Sequence, residues 1–149
     1  MAASLTAATG RINYGSSIPF MTIKAKHGIK FWQGQIVGVT TGGIAIPGGN
    51  AGWDQTVTVY GVVAYDLDTT ADSSDGDHDV IVQPGTFGNF LTGTSSDLID
   101  VTKIGQSCYA FDDNTVYLTS DSTTLPKAGT IYDIADDGTS VVVQFEVIR

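Results

Sequence analysis

The sequence predicts an all-β fold: a single-domain β-sandwich or barrel of short antiparallel strands with an extended N-terminal arm. Three observations carry that reading. Good helix formers are scarce. Glu occurs once, at Glu146, while Gly supplies 18 of 149 residues, well above the usual share of ~7%, and Thr and Val are abundant. Apolar and polar residues alternate over short stretches, the period of a half-buried strand. Gly, Asp and Asn recur between those stretches at turn spacing. The length is that of one domain with a core large enough to need no staples.

Residues 1–19 are small and polar with no period, and predict an arm that is flexible in isolation. The β domain then runs over 20–149. In FMTIKAK, Met21, Ile23 and Ala25 face one way while Thr22, Lys24 and Lys26 face the other. Lysines on the outer face also protect a sheet edge from stray pairing. GQIVGVTTGGIAIPGG predicts two strands around Thr40-Thr41-Gly42-Gly43, where glycines permit positive φ. TVTVYGVVAYDLD is a long strand whose Gly61 marks a bulge or a close backbone approach. SSDLIDVTKIG holds the one helical signal, with Ser95 or Ser96 capping at most two turns before Gly105 stops them. SCYAFDDNTVYLTS predicts a hairpin turning at Asp112-Asp113-Asn114. TIYDIADDGTSVVVQFEVI predicts another turning at Asp137-Gly138. Roughly nine to eleven strands result, a number that suits a sandwich or barrel.

One pattern recurs. GVVAYDLD followed by DVIVQ (61–68 and 79–83) has a second copy, GTIYDIAD followed by SVVVQ (129–136 and 140–144). Tyr65-Asp66 matches Tyr132-Asp133, and Val80 to Gln83 matches Val141 to Gln144. The first copy carries six aspartates from Asp66 to Asp79, in the ends of its arms and the long loop between them; the second has only the compact Asp136-Asp137-Gly138-Thr139 turn. The same strand pair closes with or without the cluster, which therefore reads as a solvated loop elaboration. As a calcium loop, DSSDGDHD lacks the D-x-[DN]-x-[DN]-G-x5-E spacing and a closing Glu.

The net charge of −9 is unevenly spread. Residues 1–32 carry Arg11, Lys24, Lys26 and Lys30 and no acid, a balance of +4. Residues 33–149 set three cations against all sixteen acids, a balance of −13. A basic arm on an acidic body predicts either a docking arm that meets a partner or an arm folded back on its own acids. The acidic body argues against nucleic acid as a partner. No run approaches the ~18 apolar residues of a membrane span, and MAASLTAATGRINYG has neither the basic nor the apolar region of a signal peptide. The expectation is synthesis in a cytosol and no membrane partner.

Chemistry is hard to find. His27 and His78 fall in loop sequence, and no nucleophile elbow accompanies them. The aspartates sit where Asp makes local turn hydrogen bonds. TTGG and PGGNAG lack the Lys-Ser/Thr of a phosphate-binding loop. The lone Cys108, in an apolar stretch, reads as a buried inert thiol and excludes an internal disulfide. Trp32 and Trp53 stand beside strand ends, as core plugs or as interface anchors. These residues predict no enzyme, no metal and no cofactor. The docking arm would use Arg11, Tyr14, Phe20, Lys24, Lys26 and Lys30.

The stretch VTKIGQSCYAFDDNTVYLTSDSTTLPKAGTIYDIADDGTSVVVQF resembles the C-terminal part of the tailed-phage capsid cement proteins, also called head decoration or capsid-fibre proteins. Gly105, Tyr109, Asp112, Asp113, Thr115 and Val116 match that family's first hairpin. Ala128, Gly129, Asp133, Asp137, Gly138 and Val141 to Val143 match its second, and GVVAYDLDT its preceding strand. The resemblance covers roughly residues 55–147 and leaves out the arm. It implies an all-β virion protein on the outer surface of an assembled phage capsid. Such a protein braces neighbouring copies of the major capsid protein and is commonly a symmetric homo-oligomer, with a trimer frequent. The rival readings are a phage tail or fibre accessory domain, or a carbohydrate-binding module using Trp53 and the glycines around it.

Overall fold

The computed structural model describes residues 5–11, 13–15, 20–120, 124–135 and 138–145. The period-two stretches form strands, and others form outside them, so that thirteen strands among the described residues replace the expected nine to eleven. They are β1 (Asn13–Gly15), β2 (Met21–Lys24), β3 (Lys30–Phe31), β4 (Ile36–Val39), β5 (Ala45–Pro47), β6 (Thr58–Val63) and β7 (Leu67–Asp68). There follow β8 (Asp79–Gln83), β9 (Thr86–Thr92), β10 (Ser107–Ala110), β11 (Thr115–Tyr117), β12 (Lys127–Ile134) and β13 (Val141–Phe145). Of these, β1, β3 and β9 lie outside the period-two stretches. The all-β prediction holds. The helical signal resolves into two single 3-10 turns, Ser95–Asp97 and Val101–Lys103. Neither expected serine caps them: Thr94 precedes the first, and the Asp100 side chain caps the second by accepting from Thr102 N.

The strands close into two barrels of one topology. Five of the first eight form a sheet in the order β2-β8-β6-β4-β5. A parallel bridge from Ala25 to Ala45 joins its outer edges. The last five run β9-β11-β10-β12-β13, and β13 pairs again with β9 to close the ring. Each barrel has five strands and the same partners taken in chain order. The first strand pairs the fifth, the fifth the fourth, the fourth the second and the second the third, all antiparallel. The third then meets the first in parallel.

The register repeats as well. Val37 faces Gly61 before a bulge, and Cys108 faces Gly129 before a bulge at the same place. Gly34 N donates to Val63 O at 2.9 Å while Val63 N donates to Gln35 O at 2.9 Å; Gly105, Gln106 and Ile131 repeat both bonds at 2.8 Å. Gly34 and Gly105 share φ 92°, a left-handed conformation that glycine adopts without strain. A Cβ on Gly61 would overlap Gln83 O, and one on Gly129 would overlap Gln144 O. Both glycines are thus required by a close backbone approach. The repeat seen in the sequence is the fourth and fifth strands of a duplication that spans the whole body.

The interiors correspond. Val37, Ala45, Val63, Val80 and Val82 fill the first barrel, and Cys108, Val116, Ile131, Val141 and Val143 stand at the matching places in the second. The outer faces differ. Ile36, Val59 and Val62 of the first barrel are buried in the core cluster of the second. The register places Ser107, Lys127 and Thr130 at the matching positions of the second barrel, where none is buried. The joint between the barrels is apolar, and the far face of the tandem is polar. The Asp112–Asn114 turn joins β10 and β11 as expected. The Asp137 half of the last turn lies outside the described residues.

Candidate interaction surface

Of the arm, residues 5–11 and 13–15 are described, and they lie on the body. Thr9 N donates to Gln33 O at 2.8 Å. Arg11 Nε donates to Gly34 O of the first barrel at 2.7 Å. Its Nη1 and Nη2 donate at 2.7 Å to Asn89 O and Asn114 Oδ1 of the second. The guanidinium carbon lies 3.9 Å above the Phe90 ring centre. One edge of β9 is therefore satisfied in turn by β1 at Thr86 and Phe87, by Arg11 at Gly88 and Asn89, and by β11 at Leu91 and Thr92. Burial pulls the Arg11 guanidinium down to about 10, with the Asp113 charge opposing, so it stays charged at neutral pH. The assignment of Arg11 to a free docking arm is corrected: its donors are used in clasping the two barrels.

Asp113 completes this junction. Its carboxylate accepts from Leu5 N at 3.1 Å and from Gln35 Nε2 at 2.8 Å. Burial holds its pKa above the usual carboxylate range, against the hydrogen bond from Gln35.

The lysines also meet the chain's own acids. Lys24 stands opposite Asp79 in the β2–β8 ladder, and Lys30 opposite Asp68 in β3–β7. The acidic loop is more than a solvated tip. Buried Thr69 accepts from Gly28 N at 2.7 Å through its carbonyl and from Ile29 N at 3.1 Å through its hydroxyl. Both histidines pair with loop carboxylates, His27 Nδ1 with Asp75 at 2.5 Å and His78 Nδ1 with Asp72 at 2.8 Å. The hydrogen bond and charge of Asp72 raise the pKa of His78. Among the described residues no group of three His, Cys, Asp or Glu side chains could hold a metal ion. Cys108 is fully buried, and desolvation pushes its thiol up to about 12.

Aromatic side chains remain on the outside. Tyr14, Phe20, Tyr65 and Tyr132 are 43–57% exposed. They form two pairs, Tyr14 with Tyr132 at 6.4 Å and Phe20 with Tyr65 at 6.1 Å between ring centres. In the strand register Tyr65 stands two residues past Val63 and Tyr132 one residue past the matching Ile131, and the N-terminal segment sets one ring against each barrel. Trp32 is partly buried, with Lys30 Nζ 5.7 Å from its ring. Trp53 packs on the core and donates from Nε1 to Ala110 O at 2.9 Å. The sequence signalled Tyr14, Phe20, Trp32 and Trp53 singly and matched Tyr65 with Tyr132, but it did not show that the N-terminal segment brings a ring to each tyrosine. No protein-family model, no curated protein and no solved structure matches this chain.

Proposed function

We propose that the protein is a structural component of a tailed-phage virion, binding the outer surface of the assembled capsid and cementing it as a symmetric oligomer, a trimer. It works by binding to the major capsid protein and to copies of itself, with no enzymatic step, cofactor, nucleic acid or membrane. The observation that carries the reading is the pair of exposed aromatic contacts, one per barrel, on a body whose core does not need them. Exposed tyrosine and phenylalanine are among the residues enriched in protein–protein interfaces. Tyr14, Phe20, Lys24, Lys26 and Lys30 are the docking residues in this reading, with Trp32 at their margin. The resemblance over residues 55–147 supports the same assignment.

The test mixes purified protein with DNA-filled heads and with free capsid subunits, and measures bound stoichiometry. Binding to heads at a fixed ratio, lost in a Tyr14→Ala, Phe20→Ala double variant, is the expected outcome. Equal indifference to heads and subunits would sink it. A second reading, a carbohydrate-binding module, draws on the cleft beside Trp53 lined by Gly49, Asn50, Phe111, Asp112 and Leu125. Saturable glycan-array binding lost in Trp53→Ala would favour that reading.

A further inference from the structure

The duplication allows one end of each barrel to be compared with its copy. In the first barrel, the connection from the first strand to the second ends at Gln33-Gly34, and two segments of the chain cover it. The N-terminal segment hydrogen-bonds the Gln33 and Gly34 carbonyls through Thr9 N and Arg11 Nε. It lies so close that a Cβ on Gly34 would overlap Thr9. The acidic loop covers the rest, with Leu67–Asp68 pairing Lys30–Phe31. In the second barrel the equivalent connection ends at Ile104-Gly105, with the same φ at the glycine and the same bonds to the fourth strand. There, neither cover is present among the described residues. Nothing lies within 4 Å of a Cβ built on Gly105. Among the described residues no backbone or side-chain donor reaches the Ile104 and Gly105 carbonyls. Leu98, Val101 and Ile104 stand 42–67% exposed on the same connection.

We propose that this end of the second barrel is a docking site for an extended segment of another protein chain, one that carries an arginine beside small residues. The occupant's chemistry follows from the filled copy: a backbone N–H for the first carbonyl and an arginine Nε for the second. An extended segment satisfies such carbonyls as an added strand does. The flanking apolar side chains match the aliphatic part of an arginine and a small neighbour. The exposed carboxylate of Asp133, on β12, and the half-buried one of Asp100, which caps Thr102 on the connection itself, favour a cation there, with Lys103 the one opposing charge on the connection.

The test uses the full chain, isotopically labelled for NMR, and a synthetic peptide of sequence LTAATGRINYG, which is residues 5–15 supplied in trans. Saturable shifts at the amides of 101–106 and 131–134 are expected, with a Kd of about 0.1–1 mM for so short a segment. Replacing the peptide's arginine by alanine should weaken binding roughly tenfold. A Val101→Ser, Ile104→Ser protein should lose binding while keeping its melting temperature. Three outcomes would overturn the proposal: no shifts at about 5 mM peptide, shifts confined to residues 33–34 and 88–89, which would mean displacement of the chain's own segment, or unchanged affinity in the serine variant.

Discussion

Replacing Arg11 with alanine should destabilise the protein far more than a surface substitution does. Three hydrogen bonds of 2.7 Å leave the guanidinium, two to main-chain carbonyls and one to Asn114. Bonds to a charged group contribute about 1.5–3 kcal/mol each, and the contact on Phe90 adds about 0.5–2 kcal/mol. Desolvating the guanidinium takes back several kcal/mol of that gross gain, which leaves a net loss of about 3 kcal/mol in the variant. For a chain of this length each kcal/mol lowers Tm by about 2–4 °C, so the expected drop is about 6–12 °C. Thermal and urea unfolding followed by circular dichroism and tryptophan fluorescence would measure it. Arg11→Lys should recover less than half, because one ammonium cannot reach Gly34 O, Asn89 O and Asn114 Oδ1 together. An Arg11→Ala variant within about 0.5 kcal/mol of the parent, the range of ordinary surface changes, would refute the clasp. The N-terminal segment would then be free to serve as the arm the sequence suggests.

Gly61→Ala and Gly129→Ala should each cost about 2–3 kcal/mol, since both put a Cβ into the carbonyl of a paired strand; matched falls in urea midpoint would confirm that the sites are equivalent. Thr115→Val should raise the unfolding free energy, read from the urea midpoint, by about 0.5–1 kcal/mol, because the buried Thr115 hydroxyl has no hydrogen-bond partner among the described residues. His78 should titrate above its ordinary 6.5 in an NMR series. Its pKa is raised in the fold, so its contribution to stability is full below that ordinary value and disappears as pH rises through the raised one. His78→Gln should remove that slope.

Much of the fold was legible from local pattern. The alternation in FMTIKAK gave β2, Asp112-Asp113-Asn114 gave the β10–β11 turn, and Gly61 announced its close approach. These features depend on neighbours within a few residues, where strand period and turn chemistry act. The candidate surface was legible only as residue types. Tyr14, Phe20 and the lysines were identifiable, but Arg11 was misplaced, because a basic residue in a small polar segment has no local sign that carbonyls of two barrels will converge on it. The helical signal in SSDLIDVTKIG fell in the right place, but its 3-10 form and its caps escaped for a related reason: Ile99 is buried between exposed Leu98 and Val101, a pattern set by docking and not by helix period.

By itself, then, the sequence determined most of the strands, though not β1, β3 or β9, together with most of their turns and one visible half of the duplication. The tertiary structure decided the rest. Ring closure depends on parallel contacts, Ala25 with Ala45 and Thr115 and Val116 with Leu91 and Thr92, and no sequence period marks those. The separation of charge along the chain is reversed in space, where Lys24 faces Asp79 and Lys30 faces Asp68. Ile36, Val59 and Val62 are apolar and Ser107, Lys127 and Thr130 polar at equivalent positions, because only the first set has a second barrel against it. Burial is a property of what lies alongside, and that is fixed only when distant parts of the chain meet.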